Sequence, residues 1–440
     1  MASIPTTTAP PIAPNHNAKK VELSLGRHRA SELAETFGTP LYIYEAPKFR
    51  SQLTDLRDAV GDQVDVYYSV KANPNQEVIR VFVEEGAGLE IASAAEYVRA
   101  RAAGGDPDRI LFAGPGKTPD ELDYVLSEGI GEIHLETEEE IALVSELAKK
   151  LDRQVPVALR VNPIGAVQGG SMRMGGKPTQ FGFDEEIADQ VIDHITAQPG
   201  LELTGVHLFA GTQGLSADTL LAQWAHGIDL ARRMVERLGR PIKTVDLGGG
   251  LGIPYFAGDK PLDLDAIRAR APDMFAEAAR LPGLQGAKFI LEPGRFLAGP
   301  AGVYLARVLS VKQSRGSTFV ILDGGMHHHL AASGNLGQVI KKDYPILLAN
   351  NMEAPLHDTP QVVVGPLCTP LDTIGRKVAM PTVEAGDLVA VQQSGAYGLT
   401  ASPVGFLSHP MPAEVLVDEG AEPQIIRQRG TFAQPVTPLP

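Results

Sequence analysis

The chain has 440 residues, of which 43% are hydrophobic and 21% charged, close to the globular average; this excludes collagen-like, coiled-coil and wholly disordered architectures. With 39 basic and 53 acidic residues its formal charge is −14, which repels phosphate backbones and anionic lipid and leaves a small molecule as the default partner, with no nucleic acid and no membrane. The single cysteine, Cys368, excludes an intramolecular disulfide and a cysteine-rich metal site; no apolar run reaches the roughly 18 residues of a membrane span, and the first twenty residues lack a secretory apolar core. A cytoplasmic protein of two or three domains is expected.

Residues 1–20, rich in Pro and Thr, read as a disordered tail. Residues 21–45 (VELSLGR, TPLYIYE) supply strands that join a later β domain. From 46 to 299, eight short apolar runs alternate with segments of helical period: 64–70, 89–92, 110–113, 133–135, 155–161, 203–209, 244–247 and 289–291. Eight strand-helix units predict a closed (β/α)8 TIM-like barrel. Three helix starts carry Ser or Thr three residues ahead of Glu, the reciprocal cap that satisfies otherwise orphaned amides: Ser93/Glu96, Thr118/Glu121 and Thr137/Glu140. After Pro300, Val-rich runs broken by Gly, Pro and Asp predict an antiparallel β-barrel or sandwich over 300–425, followed by a flexible tail over 426–440.

Barrel enzymes place their chemistry at the carboxyl ends of the strands, with phosphate held after the seventh and eighth. The first strand ends in YYSVKANPN, putting Lys71 in an apolar run, where it is either salt-bridged or used as a nucleophile toward carbonyls. The seventh runs into DLGGGLG, whose Gly248, Gly249 and Gly250 free backbone amides to close on an anion or allow tight packing; the eighth ends in LEPGR, bringing Glu292, Gly294 and Arg295 to the same rim. An amine for an aldehyde, donors for a phosphate and a carboxylate for a ring nitrogen are what pyridoxal 5'-phosphate requires.

TPLYIYE, YYSVKANPN, GLEIAS, DLGGGLG, EPGR, GPLC and SGAYG, in that order over roughly 39–412, resemble the fold-type III pyridoxal-phosphate decarboxylases, which include diaminopimelate and ornithine decarboxylases. The resemblance implies an alanine racemase-like architecture, an internal aldimine on Lys71 and a homodimer with shared active sites. It implies Glu90 and Arg160 near the cofactor ring, and Glu292 on the pyridine nitrogen. It also implies Thr212, Gly249, Gly250, Gly294, Arg295 and Tyr397 around the phosphate, and Cys368 contributed by the partner as general acid to Cα.

Where family members carry a second histidine that stacks on the ring, HLFAGT has Phe209, whose phenyl face still stacks. His207 reads as a core residue or a site residue. Thr369 follows the cysteine in place of an acidic residue, and no Arg-Pro follows DGGM, so neither distal charge of diaminopimelate has its expected partner; Asp372 and Arg173 are the remaining candidates. GGMHHHLAASGN with GPLCTPLD is more similar to the secondary-metabolism and exosortase-associated subgroup, which includes the butirosin-pathway decarboxylase of a glutamyl group tethered to an acyl-carrier protein. The expected reaction is therefore decarboxylation of an α-amino acid whose far end is modified or carrier-bound, with diaminopimelate decarboxylation as the alternative. A racemase, argued against by Glu292, and a non-catalytic cofactor carrier are further alternatives. Three successive histidines, 327–329, would point to opposite faces of an extended chain, so no metal is expected there. The 165–182 stretch, GAVQGGSMRMGGKPTQFG, reads equally as a lid or a surface loop.

Overall fold

The computed structural model describes residues 21–164, 172–173, 178–209, 211–336, 338 and 340–434. The first long strand is β1 (Leu41–Glu45). Eight parallel strands follow: β2 (Val64–Ser69), β3 (Gly88–Ile91), β4 (Ile110–Phe112), β5 (Glu132–Leu135), β6 (Val155–Asn162), β7 (Leu201–Leu208), β8 (Thr244–Asp246) and β9 (Lys288–Leu291). Each pairs with the next, and β9 pairs with β2, so the sheet closes into the expected barrel. A closed sheet has no exposed edge.

Helices cover the barrel with apolar faces; Leu220, Trp224, Ala231 and Met234 are the buried stripe of Ala217–Leu238. Inside, apolar packing is confined to a small cluster, Tyr67, Leu111 and Ile290, distinct from the main core. Gly88 makes room for it, since a Cβ there would lie 2.4 Å from the Tyr67 ring. The strand ends above are left to polar side chains.

The three capping pairs differ in outcome. Thr118 and Glu121 form the full reciprocal box ahead of a helix with Pro119 in its first turn. Ser93 and Thr137 cap their helices, but Glu96 turns to the Ala92 amide and Glu140 to buried Lys117 and the Glu136 amide. A buried ammonium outcompetes an exposed cap for a carboxylate.

Beyond the barrel lie β10 (Gly302–Ser314), β11 (Ser317–Leu322), β12 (Ile346–Leu348), β13 (Gln361–Val364), β14 (Thr373–Val378), β15 (Leu388–Val391), β16 (Ala413–Val417) and β17 (Gln424–Arg427). The sheet runs β14-β13-β11-β10-β1-β16-β17, with β15 on β10 and β12 on β15. Strand β1 joins it, as expected. The sheet is mixed rather than wholly antiparallel: β1 pairs parallel with β16, and β11 with β13, because each pair joins segments separated by other strands. The flexible tail expected from 426 starts later, since Ile426 and Arg427 are buried in β17 and Arg427 is ion-paired with buried Glu414. The three histidines occupy a turn, not an extended run: the amides of His328 and His329 both donate to the Gly325 carbonyl. The His327 and His328 rings lie 3.7 Å apart, His327 also against the His409 ring and His328 reaching the Pro410 carbonyl, while His329 turns to Ser394.

Candidate active site

Lys71 lies in a single 3-10 turn (Val70–Ala72) that caps β2, so its side chain reaches the barrel mouth. Its Nζ is 3.0 Å from both carboxylate oxygens of Glu90, at the end of β3. Glu90 is buried and also accepts from Ser69 Oγ, whereas the lysine side chain is half exposed. Burial pulls the amine's pKa down, but Glu90, Tyr397 and Glu292 outweigh it and raise it. Lys71 is thus held in place as an ammonium by a fixed carboxylate.

The loop after β8 lies against its neighbours so closely that side chains do not fit. A Cβ on Gly249 would stand 2.4 Å from the Glu292 carbonyl, and one on Gly250, at φ +96°, 2.6 Å from the Gly211 carbonyl. Thr212 belongs to a two-residue strand paired with Met172. Gly294 lets the end of β9 approach β2, with a Cβ there 2.9 Å from Ala72 Cβ. Arg295 Nη1 donates to the Tyr255 hydroxyl at 3.0 Å, and its guanidinium lies 4.6 Å from the Tyr397 ring centroid. Its Nε is buried without a partner. Tyr397, at φ +52°, is fixed by its amide's 2.7 Å bond to the Ala72 carbonyl. A cationic donor with an unused N–H beside a glycine-lined backbone fits a phosphate group. Gly249→Val, by forcing the loop off the Glu292 carbonyl, is expected to loosen pyridoxal phosphate roughly tenfold or more, measured by fluorescence titration of the ligand-free protein.

On the neighbouring strand end Glu292 follows β9, buried, with Oε1 accepting no hydrogen bond and Oε2 3.3 Å from His207 Nε2. Burial would raise its pKa, but His207, His134 and Lys71 hold it well below the usual carboxylate range. An anionic carboxylate with a free oxygen fits a protonated pyridine nitrogen. Arg160, on β6, donates to Glu136 at 2.6 Å and lies over the Phe181 ring. Half-buried Phe209 packs where a Cβ on Gly248 would come within 3.0 Å of its ring.

Other sequence-derived candidates are not on this rim. Cys368, exposed, and Thr369 occupy the loop after β13, which is tied to the turn after β11 rather than to the barrel strands. The buried carboxylate of Asp372 accepts the Met326 amide at 2.6 Å and the Leu367 amide at 2.9 Å, which fixes the turn. The Arg173 backbone pairs with Gly211; its side chain, and residues 165–171 and 174–177 of the suggested lid, lie outside the described residues.

Sequence reasoning missed Glu132, His134 and Glu136 on and just past β5, Asp246 on β8, and Tyr255. The alternation Glu-Ile-His-Leu-Glu, with every second residue polar in a strand buried on both faces, was the available signal.

Residues 47–299 match the family described as pyridoxal-dependent decarboxylase, pyridoxal binding domain. The L-glutamyl-[BtrI acyl-carrier protein] decarboxylase of Niallia circulans is 38% identical over 93% of this chain and 95% of its own. The diaminopimelate decarboxylase of Methanothermobacter thermautotrophicus is 33% identical, with 94% of each chain covered. The crystal structure of diaminopimelate decarboxylase from Helicobacter pylori complexed with L-lysine superposes with a TM-score of 0.81 at 27% identity, covering 91% of this chain and 97% of that one. With a lysine at the mouth of the barrel, a glycine-lined cradle with a cationic donor beside it and a matching sequence from end to end of the barrel, the chain belongs to the pyridoxal-dependent decarboxylases.

Proposed function

We propose that this pyridoxal-phosphate-dependent amino-acid decarboxylase takes an α-amino acid whose far end is amidated or carried on an acyl-carrier protein, and works as a homodimer. The observation that carries the substrate reading is the segment after β11. No Arg-Pro follows DGGM; Ala331 and Ala332 are buried there, and the three histidines before them are buried and held neutral, burial pulling His327 and His329 down to about 3 and His328 well below its usual value. Asp372 is taken up by backbone amides and offers nothing to a distal ammonium. Among the described residues of the 326–332 turn no side chain therefore carries a charge for a distal group, and the similarity to a decarboxylase of a carrier-bound glutamyl group supports the same reading.

Bound pyridoxal phosphate supplies an electron sink for the pair left on Cα when carbon dioxide departs. Lys71 would anchor it, while Gly249, Gly250, Gly294, Arg295, Thr212 and Tyr397 would hold the phosphate. Glu292, as an anion, would favour a proton on the ring nitrogen, and Phe209 with Arg160 would orient the ring. Glu90 would keep the Lys71 side chain at the mouth. Cys368 of the partner, exposed on its own chain, delivers a proton to Cα, a contribution of roughly 10²–10⁴-fold.

Carbon dioxide release from glutamate thioesterified to an acyl-carrier protein, from a γ-amide of glutamate and from free meso-diaminopimelate distinguishes the readings. Faster turnover of the thioester or amide is expected; faster turnover of diaminopimelate would establish the lysine-forming alternative.

A further inference from the structure

Beneath the cofactor cradle, the barrel interior holds a line of titratable groups that the lysine-centred chemistry leaves unused. Glu132 Oε2 accepts the hydroxyls of Thr204 and Thr244, each at 2.6 Å, and its Oε1 lies 3.2 Å from His134 Nε2. His134 Nδ1 is 2.8 Å from His207 Nδ1, and His207 Nε2 is 3.3 Å from Glu292 Oε2 without hydrogen-bond geometry. Asp246 stands beside the line, one oxygen accepting the Gly248 amide and the other 3.9 Å from His134 Nε2. All five are buried.

Proton counting constrains this line. The two hydrogen bonds in series, Glu132 to His134 and His134 to His207, are filled by the two protons that two neutral imidazoles bring, and a third proton is needed for His207 to close its 3.3 Å approach to Glu292. If both protons point toward Glu132, His207 presents a bare nitrogen to Glu292; if both point toward Glu292, His134 presents one to Glu132. A third proton makes the imidazole pair cationic and satisfies both carboxylates together. The surroundings agree. Burial would raise Glu132, yet His134 and the two threonine hydroxyls hold it low; burial and its interaction with the Glu292 carboxylate push Asp246 up. Burial, with His134 and Arg160 behind it, draws His207 down to about 4 even against the pull of Glu292, so a third proton has to be shared with His134 across the Nδ1 contact rather than lodged on His207 alone. Arg160 from β6 and Lys71 after β2 oppose it, Glu90 from β3 offsets Lys71, and Tyr67 on β2 stays neutral because burial raises its pKa. Two Nδ1 atoms 2.8 Å apart are closer than the about 3.3 Å that separates nitrogen ligands of one tetrahedral ion, so the contact holds a proton rather than a metal.

We propose that the His134–His207 pair is a proton-holding bridge that stabilises Glu292 as an anion toward the cofactor ring nitrogen, with His134 a positioning residue acting two contacts away. This rests on the reading of Glu292 as the ring-nitrogen partner. The bridge acts only on a ligand that has that nitrogen, which supplies the test. Affinities for pyridoxal phosphate and for its deaza analogue, with C–H in place of the ring nitrogen, are measured by titrating ligand-free wild type, His134→Gln and Glu132→Gln. Glutamine at 134 keeps two hydrogen-bonding ends but takes up no extra proton; glutamine at 132 keeps shape and removes the far charge. Wild type is expected to prefer pyridoxal phosphate, and each variant to lose on the order of tenfold of that preference while holding the deaza analogue unchanged. Equal weakening of both ligands, as a packing role gives, overturns the proposal, as does an unchanged preference in both variants or one equivalent of metal in purified wild type. Wild type that leaves no borohydride-fixed pyridoxyl group on Lys71 refutes the underlying cofactor reading, and the bridge's role with it.

Discussion

Lys71→Ala is expected to lower carbon dioxide release by a factor on the order of 10³ or more, and borohydride is expected to leave no pyridoxyl group on the corresponding peptide in mass mapping. The fold is expected to survive, because the side chain is half exposed and its single polar partner, Glu90, keeps the Ser69 hydroxyl. Lys71→Arg separates charge from chemistry. It preserves a cation beside Glu90 but offers a guanidinium that does not give up its proton, so it is expected to be as inactive as alanine. Turnover near the wild-type rate in either variant would remove the amine from the reaction.

The largest stability effect is expected away from the reacting groups, at Glu414. Its carboxylate accepts the Tyr44 hydroxyl at 2.7 Å and Asn75 Nδ2 at 2.9 Å, and it is ion-paired with Arg427; both charged side chains are almost wholly inaccessible. Glu414→Ala strands the guanidinium and the tyrosine hydroxyl and leaves the asparagine amide only its 3.3 Å bond to the Ile426 carbonyl, and is expected to cost about 3–5 kcal/mol in urea unfolding. Replacing Glu414 and Arg427 together by methionine is expected to cost less than Glu414→Ala alone, because the penalty comes from an uncompensated charge rather than from the lost attraction. A double variant less stable than the single one would contradict that account. Asn75 lies four residues beyond Lys71, so the single variant is also expected to loosen the cofactor.

The barrel was legible because each of its strands is an apolar run bounded by recognisable turns, and all eight fall within a residue or two of the runs read from sequence. Lys71, Glu292, Gly249 and Arg295 were legible for a different reason: each is costly where it stands, a cation or carboxylate in an apolar run or a loop without side chains. What stayed hidden depends on partners distant in sequence. Glu140 looks like a cap until Lys117 claims it, and Asp372 looks like a substrate ligand until two backbone amides occupy it. His207 was ambiguous alone, and its 2.8 Å contact with His134 joins residues 73 positions apart. The parallel pairing of β1 with β16 spans nearly the whole chain, and no local period reports it.

The first strand of the chain and the loop that carries Lys71 are both stitched to its last third: β1 lies between β10 and β16, Asn73 donates to the Gly395 carbonyl, and the Tyr397 amide bonds to Ala72. Recombination schemes that exchange the barrel between homologues at residue 299 would therefore deliver an anchoring lysine whose supporting clasp comes from another parent. Viable chimeras require crossovers placed so that β1, the 71–75 loop and everything after 300 are inherited as one block, with the outer helices as the freely exchangeable parts.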